Sequence, residues 1–117
     1  MIITLCGSTQ FKEDYIEMCR QLEYNGHTVL TGCTFTHADN LELSPEERIH
    51  LDNAQKHRIS ICDAIFVINK DNYIGENTYS DIDWAQRNKK EVYFLVNPNP
   101  EEDKEEEKTP TTEPTIE

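Results

Sequence analysis

Positive charge is scarce in this chain: 11 lysines and arginines stand against 23 acidic residues, for a net charge of -12. Binding a phosphate backbone needs a basic stripe, and none is visible, so a polynucleotide partner is not expected. Long hydrophobic runs are also missing. Met1 to Cys6 is apolar but far too short for a signal or transmembrane segment, so a cytoplasmic protein with no membrane contact is expected. Cys6, Cys19, Cys33 and Cys62 include no C-x-x-C, and no histidine stands at zinc-finger spacing from them. They read as reduced core cysteines of a cytosolic protein. His27, His37, His50 and His57 show no H-E-x-x-H or other metal spacing, and no metal is expected. The Walker A pattern, the G-x-G-x-x-G fingerprint and any internal repeat are absent as well.

What is present fits one domain of 117 residues. From Glu101 to Glu117, eight acidic residues face only Lys104 and Lys108, and Ile116 is the one apolar side chain. Such a stretch cannot bury a core, so residues 99–117 are expected to form a disordered acidic tail behind a domain spanning 1–98. Half of the net charge lies in that tail, and the rest of the body is acidic too. A small anionic ligand stays possible, because backbone N–H groups bind phosphate without lysine or arginine.

Ile2-Ile3-Thr4-Leu5-Cys6 reads as a buried strand ending at Gly7-Ser8-Thr9-Gln10. Phe11, Tyr15, Cys19 and Leu22 then recur at helical spacing, and Asn25-Gly26 stops that helix. Residues 27–31 read as a short second strand, followed by a long polar loop over 32–43. Ser44, Pro45 and Glu47 announce the next helix as N-cap, first helical position and capping box. Its apolar stripe (Leu51, Ala54, Arg58, Ile61) is weak, which suits a solvated helix or one facing another subunit. Ala64-Ile65-Phe66-Val67-Ile68 is continuous, short and β-branched, a strand buried on both faces. A polar loop over Asn69 to Tyr73 follows, Gly75 relaxes the backbone, and a helix is expected from Asn77 or Thr78 to about Asn88. Residues 91–96 make the fourth strand, stopped by Asn97-Pro98. Four strands alternating with three helices predict an α/β fold, a three-layer sandwich around a parallel sheet.

Ligands of open α/β sheets sit outside the carboxyl ends of the strands. The loop Gly7-Ser8-Thr9 and the segment Asn69 to Thr78 both fall there. On the third helix Thr78, Asp81, Ile82 and Ala85 share one side. Asp81 stands at the border of that side, either as a first-turn acid favoured by the helix dipole or as a functional carboxylate. Asp83 has Arg87 four residues on and reads as a surface ion pair. Ser8 or Thr9 is expected to cap the first helix. In the long loop His37 and Asp39 are a weak site candidate.

Taken together, Leu5-Cys6-Gly7-Ser8-Thr9, Cys62-Asp63-Ala64-Ile65-Phe66-Val67-Ile68-Asn69 and Gly75-x-x-Thr78-x-x-Asp81-Ile82-x-Trp84-Ala85 resemble the nucleoside 2-deoxyribosyltransferase-like superfamily, which includes the 2′-deoxynucleoside 5′-phosphate N-hydrolases. The resemblance covers Met1 to about Val96. It implies a flavodoxin-like Rossmann sandwich and a pocket for a small-molecule nucleoside or nucleotide, with no cofactor. It implies Asp81 as the nucleophile on the anomeric carbon, with Gly7, Ser8, Thr9, Asn69, Gly75 and Thr78 lining the substrate site. Relatives of this kind are often homo-oligomers in which a neighbour completes the pocket. Three departures stand out: Asp81 where the family has glutamate, and Gln55 and Ser60 where relatives carry His and Asp. The alternative is a nucleotide-binding or sensor module of the same fold without turnover; a third reading is an interaction protein acting through the acidic tail.

Overall fold

In a computed structural model of the chain, which describes residues 1–98, four strands alternate with three helices. They are β1 (Ile2–Gly7), α1 (Lys12–Tyr24), β2 (Thr28–Leu30), α2 (Pro45–Ile61), β3 (Ala64–Ile68), α3 (Glu76–Arg87) and β4 (Glu91–Phe94), with a 3-10 turn at Lys70–Asn72. The predicted acidic tail lies outside the described residues. All pairings are parallel, and the strand order is β2-β1-β3-β4. This is the predicted flavodoxin-like sandwich. The chain turns one way from β1 to β2 and the other way from β3 to β4, so the topological switch point lies between β1 and β3.

Side-chain alternation along the two central strands builds a core on each face of the sheet. Ile3, Leu5, Phe66 and Ile68 pack with Tyr15, Met18 and Leu22 of α1. Cys6, Ile65 and Val67 pack with Ile59 of α2 and Ala85 of α3. Every residue of β3 is buried, as its composition predicts. Of the four cysteines, all free, Cys6 and Cys62 are core residues, Cys19 is half-buried, and Cys33 is exposed in the long loop.

The helix ends follow the local sequence closely. Both bonds of a Schellman motif close α1 (His27 N–H to Leu22 O, Gly26 N–H to Glu23 O), with Gly26 at φ +94. The same pair of bonds closes α3, with Lys89 at φ 60 in the left-handed position. The capping box of α2 forms in full: Glu47 N–H donates to Ser44 Oγ, and Ser44 N–H donates to the Glu47 carboxylate.

Several expectations need correction. The N-cap of α1 is Phe11, and neither Ser8 nor Thr9 caps it; Ser8 instead accepts from Gln10 within its own turn. The stripe assigned to α2 is not the one it buries. Ile61 is 53% exposed, and the helix anchors through Ile59. The helix α3 starts at Glu76, so Asp81 lies in its second turn, out of reach of a first-turn dipole argument. Gly75 has an ordinary φ of -84 and relaxes nothing; a Cβ there would lie 3.2 Å from the Tyr73 hydroxyl. The outer strands β2 and β4 are shorter than predicted.

Gly7 is the glycine the fold requires. Its φ is +150, and a Cβ would fall 2.8 Å from the carbonyl oxygen of Ile68 on the neighbouring strand. Only hydrogen fits between β1 and β3 at their carboxyl ends. Gly7→Ala is therefore expected to cost on the order of 1–3 kcal/mol, read as a lower urea midpoint; an unchanged midpoint would remove the close approach as the reason for glycine.

Candidate active site

Outside the switch point lies a cavity of about 550 Å³, well within the range of small-molecule sites. Its walls come from four segments. The end of β1 and the loop after it supply Gly7, Ser8 and Thr9; the start of α3 supplies Gly75, Thr78 and Asp81. The long loop after β2 supplies Phe35 and His37, and one face of α2 supplies Arg48, Asp52, Gln55 and Arg58.

Three contacts hold the long loop against the first unit. Thr9 Oγ1 lies 3.2 Å from His37 Nδ1 and accepts from the His37 N–H at 3.1 Å. Lys12 pairs with Asp39 at 2.9 Å. Tyr15 meets Phe35 edge to face, with ring centroids 5.2 Å apart. The pair His37 and Asp39 is thus split: His37 borders the cavity, while Asp39 is taken up by Lys12. Tyr15 also donates to Gly7 O at 2.8 Å, and burial pushes its phenol well up, so it is a neutral donor at any ordinary pH.

Asp81 is 8% exposed and faces the cavity. Lys56 of α2 reaches across to donate to Asp81 Oδ1 at 3.0 Å, and the same ammonium donates to Asp52 Oδ1 at 3.3 Å. The backbone of Lys56 is held in turn, since the Trp84 indole donates to its carbonyl at 3.2 Å. Burial pushes the Asp81 carboxyl up, Lys56 pulls it back, the charge of Asp52 adds to the rise, and the net direction is upward. Desolvation pulls Lys56 down, but Asp81 and Asp52 outweigh it and hold the ammonium above its ordinary range.

Gln55 stands where the resemblance implies a titratable residue; it borders the cavity, and its amide helps to lower the Asp81 carboxyl. It donates to Leu5 O at 3.1 Å and accepts from Arg58 Nε at 2.9 Å. Ser60 is exposed and donates to His57 O within its own turn. Asn69 is the sequence-chosen site residue placed elsewhere. It is fully buried, accepts from Val96 N–H at 2.9 Å and donates to Val96 O at 2.7 Å, so its amide splices the end of β3 to the segment after β4. It does not border the cavity. Asp83 pairs with Arg87 at 3.0 Å on the surface.

The inward face of α2 was not anticipated. Its signal was present in spacing: 48, 52, 55 and 58–59 recur at three or four residues and mark one side of a helix, but the side is polar. Among the described residues no group of three or more His, Cys, Asp or Glu is placed to hold a metal ion.

With this geometry in view, the chain can be set beside known proteins. It superposes on the CMP N-glycosidase BcmB of Clostridium botulinum with a TM-score of 0.55, over 80% of this chain and 70% of that one, at 20% identity. The likeness is one of fold. No family model matches the chain, and no curated protein matches it in sequence.

The raised Asp81 carboxyl has a consequence for stability. The folded protein holds that proton more tightly than the unfolded chain, whose ordinary aspartate value is 3.8. The contribution is full below that value and is lost as pH rises through the folded one. The stability of the wild type relative to Asp81→Asn, from urea unfolding at stepped pH, should therefore fall as pH rises across that window. A carbon-13 NMR titration of Asp81 should place its midpoint above the ordinary aspartate range.

Proposed function

We propose that the protein cleaves the N-glycosidic bond of a nucleoside or nucleoside 5′-monophosphate, with Asp81 as the nucleophile. The observation that carries this reading is a nearly buried carboxylate facing a nucleotide-sized cavity at the switch point, beside the Gly7-Ser8-Thr9 loop. The likeness of fold to a CMP N-glycosidase supports it.

In the first step an Asp81 oxygen bonds to the anomeric carbon as the carbon–nitrogen bond breaks. The bonding pair leaves on the base, which takes a proton from water. In the second step water, or a second base, attacks the same carbon and releases the carboxylate. One hard substitution becomes two easier ones, the logic of a retaining glycosidase. Gly7, Ser8 and Thr9 would line the sugar and its 5′ substituent. Gly75 has no side chain with which to cap α3, so the first-turn N–H groups at Glu76, Asn77 and Thr78 are available to a phosphate. Asn69 would act at a distance, by fixing the end of β3. Arg48 and Arg58 add two guanidinium groups to the cavity wall for an anionic substrate.

The Lys56 ion pair favours a second reading, a nucleotide-binding module without turnover, because a neutralised carboxylate is a poorer nucleophile. One experiment separates the two. The protein is incubated with nucleosides and nucleoside 5′-monophosphates, CMP and dCMP among them, and free base is followed by chromatography. Base release that falls roughly a thousandfold or more in Asp81→Ala, with the ligand-induced rise in melting temperature kept, is the enzyme's signature. A melting shift with no base from any substrate establishes the binding module.

A further inference from the structure

Lys56 has no role in the two chemical steps above, yet it donates directly to the carboxylate that would react. It sits 3.0 Å from Asp81 Oδ1 and 3.3 Å from Asp52 Oδ1, with only about a fifth of its side chain exposed. Its main chain is gripped by the indole of Trp84, which stands three residues beyond Asp81 on the same helix. Lysine and carboxylate are therefore tied twice, through the side chain and through the backbone of the two helices that carry them. We propose that Lys56 is the positioning residue of this site, holding Oδ1 of Asp81 from below and leaving Oδ2 as the atom that attacks. The proposal rests on the N-glycosidic reading for its chemistry but not for its geometry.

The arrangement resolves a conflict between two requirements. A carboxylate as buried as Asp81 would, alone, favour its protonated form, and a carboxylic acid does not attack carbon. A dedicated ammonium keeps it ionised but would oppose formation of the ester, since attack removes the charge the ammonium was balancing. Asp52 eases the second difficulty. When Asp81 becomes an ester, Lys56 still has a carboxylate partner, so no lone buried cation is left behind. The groups facing Asp81 are Lys56, Asp52 and the amide of Gln55 from α2, the thiol of Cys6 from β1 and the phenol of Tyr15 from α1. Cys6 and Tyr15 are held neutral by burial, and Asp52 brings a second carboxylate, not a cation. Lys56 is thus the cation that governs the ionisation of Asp81.

The test uses the full chain in three forms: wild type, Lys56→Met and Lys56→Arg. Carbon-13 NMR follows the Asp81 carboxyl against pH, and base release from the best substrate is profiled over the same range. In Lys56→Met the Asp81 midpoint should rise by a unit or more, and the acid limb of kcat should move up with it. Below that limb the rate falls about tenfold per unit of displacement, with KM little changed. Lys56→Arg should restore both midpoint and limb most of the way. If Lys56→Met does not fold, Asp52→Asn reads the same strap from its other end: removing a neighbouring anion should lower the Asp81 midpoint and move the acid limb of kcat down with it. An Asp81 midpoint indifferent to Lys56→Met, or to Asp52→Asn where only that variant folds, overturns the proposal. A midpoint that moves while no substrate releases base leaves the strap standing and overturns the glycosidic reading instead.

Discussion

A carboxylate can be taken out of water only if something replaces the water, and this requirement organises the interior around Asp81. The replacement is an ammonium supplied by a different helix. That ammonium must be held in place, which accounts for the indole on its carbonyl and the second carboxylate beside it. The two helices on this face of the sheet are therefore coupled through charge as well as through Ile59, Ile82 and Ala85. On the opposite face α1 has no such burden and packs through Tyr15, Met18 and Leu22, with Cys19 half-buried beside them.

The site's location follows from topology. Because β1 and β3 are central and adjacent, their following loops diverge and leave a crevice between them. The closeness of the two strands at that edge is extreme enough to exclude a Cβ at Gly7. The first loop and the start of α3 are thereby drawn to the same opening, and Tyr15 locks the junction by bonding the Gly7 carbonyl. Loop 32–43 then closes the third side, tied down at Thr9, Lys12 and Tyr15 rather than left to swing.

How much of this could be read from the chain depended on whether burial was apolar. The strand 64–68 and the α3 face at Thr78, Asp81, Ile82 and Ala85 were legible because hydrophobic period and geometry agree there. The start of α2 was legible because capping is local chemistry. The inward face of α2 was not, because a helix beside a polar cavity half-buries Gln55, Lys56 and Arg58, and periodicity arguments treat such residues as solvated. Asn69 was misplaced for a related reason. A polar residue at the end of a buried strand has two ways to satisfy its amide, a ligand or a neighbouring backbone, and the chain order does not say that Val96 will lie within 3 Å. Asp81 was located on the right side of its helix, while the account of it as a first-turn acid failed because the helix begins earlier than its polar sequence suggested.

Net charge proved a poor guide to the cavity itself. A chain at -12 repels polynucleotides at long range, and that argument concerns the whole surface. Around the cavity the balance differs: Arg48 and Arg58 line it with Asp52, Glu76 and Asp81, and Lys56 pairs with Asp81. Two guanidinium groups thus face the hollow of an otherwise acidic body, and Lys56 offsets Asp81 from behind its wall. On the proposed reading, a mononucleotide with its one phosphate would experience mainly the local balance, since the Debye length of about 8 Å at physiological ionic strength screens the outer charge. A polymer cannot escape the outer charge in this way, because its flanking phosphates must lie along the surface. The same acidity that disfavours a nucleic-acid strand is thus compatible with the proposed monomeric substrate, for which the local arginines matter more than the overall charge.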